Sequence, residues 1–285
     1  MAGEPLRVVV LGAGGRLGSA IVAAWSADPA LRVTGFGRAQ ANLLQPRVLD
    51  ETLLPLEFDV LVNAAACTAV DDCEAQEQLA WQVNAAAPGH LARLCADKGA
   101  RLVHFSTDYV FDGRTERPYT ETDEPNPLSV YGRTKLLGEH KVLAASPRHL
   151  VVRLSWLFGP GRPAFPEWVL RQACTPEIRV VADKISCPTY SADVARWLRV
   201  LILRVPQAAG LFHLCNGPAC SWHEWAAEIL RQRALRVPLI PIALHELHGL
   251  TAARPRHSAL STAKFEALTG ETCRPWQEAL AEHLG

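Results

Sequence analysis

Tyr131 and Lys135 stand four residues apart in SVYGRTKLLGEH, downstream of Ser106-Thr107-Asp108-Tyr109, which ends the apolar run RLVHF. On a helix that spacing sets the phenol and the ammonium on one face, one turn apart. A lysine ammonium there is expected to favour the phenolate, bringing a tyrosine with an ordinary pKa of about 10 into use as a proton donor nearer neutral pH. With the hydroxyl of Thr107, this is equipment for reducing a carbonyl. Tyr and Lys at this spacing also occur on solvated helix faces, so the elements around them have to decide the reading.

Arg7 to Leu11 is a compact β-branched run that leads directly into Gly12-Ala13-Gly14-Gly15-Arg16-Leu17-Gly18 and then into the amphipathic IVAAW. A buried strand, a glycine turn and a helix follow from that order. Further apolar runs at 32–36, 58–66, 101–106 and 149–155 alternate with helical patterns, notably Gln78 to Lys98. Such alternation predicts an α/β fold, a doubly wound parallel sheet of Rossmann type. The dinucleotide-binding domain is expected over residues 1–155. After residue 156 proline and glycine become frequent and the elements shorten, which suggests a smaller α+β substrate-binding portion over 156–285. A strand and helix at about 178–203 are expected to return to the first domain.

The G-x-x-G-x-x-G pattern of Gly12, Gly15 and Gly18 suits a pyrophosphate at the amino end of a helix, and its place straight after the first strand favours a nucleotide over a plain turn. An acidic residue at the end of the second strand would accept from a ribose 2′-hydroxyl, but RVTGFG ends in Arg38. A guanidinium there suits a 2′-phosphate, with Arg16 as a second contact. NADPH is therefore preferred to NADH, which stays open because a loop arginine need not point inward.

The 29 basic and 29 acidic residues cancel, which suggests neither nucleic-acid nor polybasic membrane-surface binding. Eight cysteines without a C-x-x-C pair read as free thiols of a reducing, cytoplasmic compartment. The longest apolar stretch, VARWLRVLILRV, is too short and too often broken by arginine to span a bilayer. His245 and His248 in H-E-L-H are three apart where the zincin pattern needs four, so no metal site is expected there.

The combination of GAGGRLG, NAAACTAVDDCE, VNA, STDYVFDG, YGRTKLLGE, RLSWLFGPG, CPTYSADVA and ARPRHSAL resembles the extended short-chain dehydrogenase/reductases, and more narrowly the dTDP-4-dehydrorhamnose reductase group. The resemblance implies a Thr107, Tyr131, Lys135 triad in which Tyr131 protonates the developing alkoxide, Lys135 holds the nicotinamide ribose and Thr107 bonds the carbonyl oxygen. It implies cofactor contacts at Gly12, Gly14, Gly15, Arg16, Leu17, Gly18, Arg38, Asn42, Tyr131 and Lys135, with Ala64, Ala65 and Ala66 passing close to the adenosine and ribose. Thr68, Val70, Thr107, Asp108, Tyr109 and Trp156 would meet the sugar of a nucleotide-sugar substrate. The reaction implied is NADPH-dependent reduction of a nucleotide-activated 4-keto-6-deoxyhexose, dTDP-4-dehydrorhamnose to dTDP-L-rhamnose foremost. A homodimer and Mg2+ occur in some relatives, and no motif here places the metal.

Some positions depart from that group. Cys67 follows the alanines where an aromatic or His is usual, and Asn42 stands for an aspartate. Lys184 and Ser186 replace Gln and Gly, and His257 and Ser261 replace Asn and Asp. A 4,6-dehydratase would share the scaffold but needs a glutamate base where Tyr109 stands, which favours simple reduction. The regulatory subunit of methionine adenosyltransferase resembles the same group, so a binding role is the alternative from another class.

Overall fold

The chain is described over residues 4–285 by a computed structural model. Five strands in chain order, β1 (Leu6–Leu11), β2 (Leu31–Phe36), β3 (Val60–Asn63), β4 (Arg101–Thr107) and β5 (Leu150–Leu154), join a sixth, Gly210–His213, in one parallel sheet. Its order is β2, β1, β3, β4, β5, then Gly210–His213. The connections from β1 run outward to β2 and back across to β3. The crevice for a ligand therefore lies beyond the carboxyl ends of β1 and β3.

The central strands are buried on both faces, as continuous apolar runs require: every residue of β3, β4 and β5 is buried. The edge strand β2 is not, and its outward residues are exposed. One face is covered by α1 (Arg16–Ser26) and the helix Ser191–Leu203, locked together where Trp25 Nε1 donates to the Ala195 carbonyl at 2.9 Å. The other face is covered by α2 (Pro46–Leu53), then, after the short helices α3 (Val70–Ala75) and α4 (Glu77–Trp81), by α5 (Ala87–Asp97) and α6 (Val130–Ala145).

The strand expected near residue 178 does not return to this sheet. Ile178–Val181 pairs with Leu239–Ile242, and the helix Ser191–Leu203 alone comes back. Ile178 and Val180 pack instead into the cluster of the smaller lobe, where Phe165 of the helix Phe165–Gln172 stacks on Trp225 at 4.7 Å. The single helical pattern from Gln78 to Lys98 is broken by one π-helical turn at Gln82–Ala86. No helix among the described residues is long and apolar enough to cross a membrane.

Candidate active site

Helix α6 begins at Ser129, whose side chain accepts from the Gly132 N–H at 3.1 Å, and Glu74 accepts from Val130 N at 2.7 Å. Those caps fix where the first turn starts. They turn Tyr131, Lys135, Gly138 and Val142 inward at i, i+4, i+7 and i+11, all buried. The helix can approach because residue 132 is glycine: a Cβ there would collide with the Tyr109 carbonyl. Strand β4 ends at Thr107 and passes into a 3₁₀ turn, Asp108–Val110. Tyr109 from that turn meets Tyr131 edge to face, with ring centroids 5.7 Å apart.

Burial pushes the Tyr131 phenol above its ordinary pKa, and the neighbouring Thr107 hydroxyl pulls the other way without overcoming it. Lys135 is brought down to about 8 by burial, with Glu139 opposing. Its ammonium is engaged by the Phe105 carbonyl at 2.6 Å and lies 3.4 Å from His104 Nε2, not against the phenol. The expected acidification of Tyr131 by Lys135 is therefore not a feature of this arrangement; desolvation of the phenol outweighs it. Tyr131 is held protonated, which is the state a proton donor needs. Thr107 also differs from expectation, since its hydroxyl donates to Asp108 Oδ1 at 3.1 Å and accepts from Tyr109 N at 3.2 Å.

The glycine turn lies at the crevice. Gly12 has φ 76°, and a Cβ there would stand 2.8 Å from Ala65 N, so the β1 turn rests directly on the Ala64–Ala66 segment after β3. Helix α1 starts with neither a side-chain cap nor an acidic residue in its first turn, which leaves the N–H groups of Arg16, Leu17 and Gly18 and the positive helix end for an anion. Nothing lies within 4 Å of where a Cβ on Gly14 would sit. These residues fit a dinucleotide pyrophosphate. Arg38 is exposed at the end of β2 and enters no ion pair among the described residues. Arg16 is differently placed from the expectation of a phosphate contact: its guanidinium is taken up by the carbonyls of Leu157 at 3.2 Å, Arg162 at 2.5 Å and Pro163 at 3.0 Å, clasping the glycine turn to the loop after β5. Asn42 spends its Oδ1 on Leu44 N at 3.1 Å, an Asx turn within its own loop.

On the sugar side, Val70 and Cys67 pack against the cluster that contains Tyr109 and Tyr131, whereas Thr68 is exposed at the rim. Trp156 has φ 39°, an uncommon conformation for a tryptophan, and lies flat against Trp225 at 5.8 Å with its Nε1 buried and unpartnered among the described residues. The departures Lys184 and Ser186 gather here. Lys184 is fully buried, donates to the Pro255 carbonyl at 2.7 Å, and stands 5.0 Å over the Tyr109 ring and 5.8 Å over that of Trp156. Ser186 and Ser258 both donate to Asp108 Oδ2, at 3.1 and 2.6 Å. Asp108 therefore receives three hydroxyls, counting Thr107. Asp71 of α3 reaches across to the 251–254 segment and accepts from Thr251 N at 2.8 Å, Ala252 N at 3.0 Å and the Arg254 guanidinium. His257 and Ser261 make backbone contacts to Ile185 and Tyr119, respectively.

Three polar residues escaped the reading from residue types. Asn84, in the π turn, brackets the backbone of Cys67: its Oδ1 accepts from Cys67 N at 2.9 Å and its Nδ2 donates to Cys67 O at 3.0 Å. His104 and Asn63 lie wholly buried under Lys135. A polar residue inside an otherwise apolar strand was the available signal for both. Among the described residues there is no group of three or more His, Cys, Asp or Glu side chains that could hold a metal ion.

The family model described as RmlD substrate binding domain matches residues 6–285. A dTDP-4-dehydrorhamnose reductase of Mycobacterium tuberculosis is 38% identical, over 100% of this chain and 94% of its own. A crystal structure of a dTDP-4-dehydrorhamnose reductase from Clostridium acetobutylicum superposes with a TM-score of 0.93 at 35% identity, covering 98% of both chains. One from Bacillus anthracis, in complex with NADP, gives 0.92 at 30% identity and covers 98% of this chain and 99% of its own. The chain is a member of the RmlD substrate binding domain family.

Proposed function

We propose that this protein is an NADPH-dependent reductase that converts dTDP-4-dehydrorhamnose to dTDP-L-rhamnose. The observation that carries the reading is the buried Tyr131 close to Thr107, faced by the ring of Tyr109 where a dehydratase would hold a carboxylate base. When bound, the cofactor supplies a hydride to the ketone carbon. Tyr131 gives its hydroxyl proton to the oxygen that becomes alkoxide, and Lys135 in its ammonium form would hold the nicotinamide ribose. Thr107 releases Asp108 and turns its hydrogen to the same oxygen. Val70, Tyr109 and Trp156 present apolar faces to the sugar ring, and α1 presents its free N–H groups to the cofactor pyrophosphate. NADPH is preferred because Arg38 stands at the tip of β2 without a carboxylate beside it, and because the Bacillus anthracis relative is an NADP complex.

The purified protein should consume NADPH only when dTDP-4-dehydrorhamnose is present and should yield dTDP-L-rhamnose by NMR. NADPH consumption without that sugar, or none with it, would refute the reading. Tyr131→Phe should lower kcat by about 10²-fold to 10⁴-fold while NADPH still binds, as a lost general acid requires. Arg38→Ala should weaken NADPH by about tenfold and NADH hardly at all, the worth of one charge-assisted contact; equal losses would overturn the cofactor preference.

A further inference from the structure

Beneath Lys135, two buried side chains lead from the candidate catalytic lysine to the cofactor turn. Lys135 Nζ lies 3.4 Å from His104 Nε2 and donates to the Phe105 carbonyl. His104 Nδ1 lies 3.2 Å from Asn63 Nδ2, and Asn63 Oδ1 accepts from Ala65 N at 3.2 Å. His104 and Asn63 are 0% and 1% exposed, so bulk solvent does not reach them. Ala65 N is also the atom on which the Gly12 turn rests, as the contact of a Cβ placed there shows.

Counting hydrogens restricts this chain. An ammonium and a primary amide nitrogen only donate, and a neutral imidazole carries one hydrogen and one acceptor. If Asn63 Nδ2 donates to His104 Nδ1, the ring hydrogen is on Nε2 and needs an acceptor, which Lys135 offers only as a free amine. If Lys135 is an ammonium, His104 Nε2 has to accept and the hydrogen moves to Nδ1. Asn63 then presents a donor to a donor unless its amide turns over, giving Oδ1 to His104 and withdrawing it from Ala65 N. A doubly protonated ring is excluded by burial, which holds His104 well below the usual histidine range.

We propose that His104 and Asn63 are positioning residues that couple the charge on Lys135 to the Ala65 N–H: the amine state ties that N–H to Asn63, and the ammonium state frees it for the cofactor. The coupling rests on the reading of the glycine turn as the cofactor site. Each switch takes one proton from solvent, which ends on Lys135; His104 and Asn63 keep their hydrogen count. The groups around Lys135 are Glu139 and, one turn away, Tyr131 on its own helix, His104 on β4 and, through its 2.6 Å pair with Glu139, Arg153 on β5. Tyr131 stays protonated and Glu139 is paired, which leaves Lys135 as the group that switches, near pH 8. A cofactor that bonds Ala65 N–H therefore selects the ammonium and carries a proton in with it.

Nitrogen NMR on the full, cofactor-free chain labelled in histidine reads the tautomer directly, with His104 assigned by its loss in His104→Gln. The expected result is Nε2–H at about pH 10 and Nδ1–H at about pH 6, with a midpoint near 8. Lys135→Met should remove the switch, and Asn63→Asp, which can only accept, should hold Nδ1–H throughout. A single tautomer across that range in the unaltered chain overturns the proposal. Calorimetry of NADPH binding at about pH 9, in buffers of different ionisation enthalpy, should show close to one proton taken up, and far less in Asn63→Asp. Equal uptake in both overturns the link to the cofactor. Failure of NADPH to bind, with the tautomer switch intact, would instead strike at the proposed function and support the switch.

Discussion

Lys135 shows how one side chain can be needed by the chemistry and unfavourable to the fold. Its pKa of about 8 lies below the ordinary lysine value of 10.5 because burial disfavours the ammonium. The proposed mechanism needs that ammonium, so kcat/KM for NADPH should fall about tenfold per pH unit above pH 8, the free protein losing its charged form. Stability should move the other way. A base whose folded pKa is depressed binds fewer protons folded than unfolded between the two values, so its contribution rises with pH from about 8 to 10.5. Denaturant titrations should show the unaltered protein gaining on Lys135→Met over that window; a parallel loss of activity and stability would mean that alkaline unfolding causes the decline. The pairing of Tyr131 with Lys135 was legible in the sequence because helical periodicity alone puts them on one face. The direction of Arg16 and the partner of the Thr107 hydroxyl were not. Both depend on carbonyls and carboxylates brought in by distant segments, Arg16 on residues 157–163 and Thr107 on an Asp108 already anchored by Ser186 and Ser258.

At the scale of elements, the site is set by how closely α6 approaches the turn after β4. Gly132 is the point of contact, facing the Tyr109 carbonyl with no room for a methyl group. Gly132→Ala would raise the helix propensity of that turn by roughly 1 kcal/mol, yet it forces helix and turn apart. The expected outcome is a fold destabilised by about 1–3 kcal/mol and a kcat lowered by about 10²-fold, since a shift near 1 Å at the reacting groups costs about that much. Retained kcat in a stable Gly132→Ala protein would show that the approach is not what positions Tyr131. The strand, glycine turn and helix at the start of the chain were readable because each has a local signal. The π turn at Gln82–Ala86 has no residue-type signal of its own. The partner of Ile178–Val181 was equally hidden, because a four-residue apolar strand fits either the main sheet or Leu239–Ile242 and tertiary packing chooses.

At the scale of the whole molecule, Asp71 joins the two sides of the crevice at a place that the sequence displayed without explaining. It stands in AVDDCE and binds Arg254 of ARPRH together with the N–H groups of Thr251 and Ala252, a separation of some 180 residues that no local pattern encodes. Arg254 and the N–H donors hold the Asp71 carboxyl well below the usual carboxylate range. A depressed carboxylate stabilises the fold fully above its unfolded pKa, near 3.8, and loses that contribution as pH falls toward its folded value. The side chain is 35% exposed, so solvent screening limits the gain to about 1–2 kcal/mol. Asp71→Asn should therefore be less stable than the unaltered chain by that amount at about pH 6, and the gap should begin to shrink below about pH 4 and keep shrinking toward about pH 2. Because the 251–254 segment borders Tyr109 on the sugar side and not the glycine turn, the same variant should raise KM for the sugar nucleotide by about 5–10-fold while leaving NADPH affinity nearly unchanged. A stability gap that does not shrink between about pH 4 and about pH 2, or equal effects on both ligands, would show that Asp71 closes no link between the two sides.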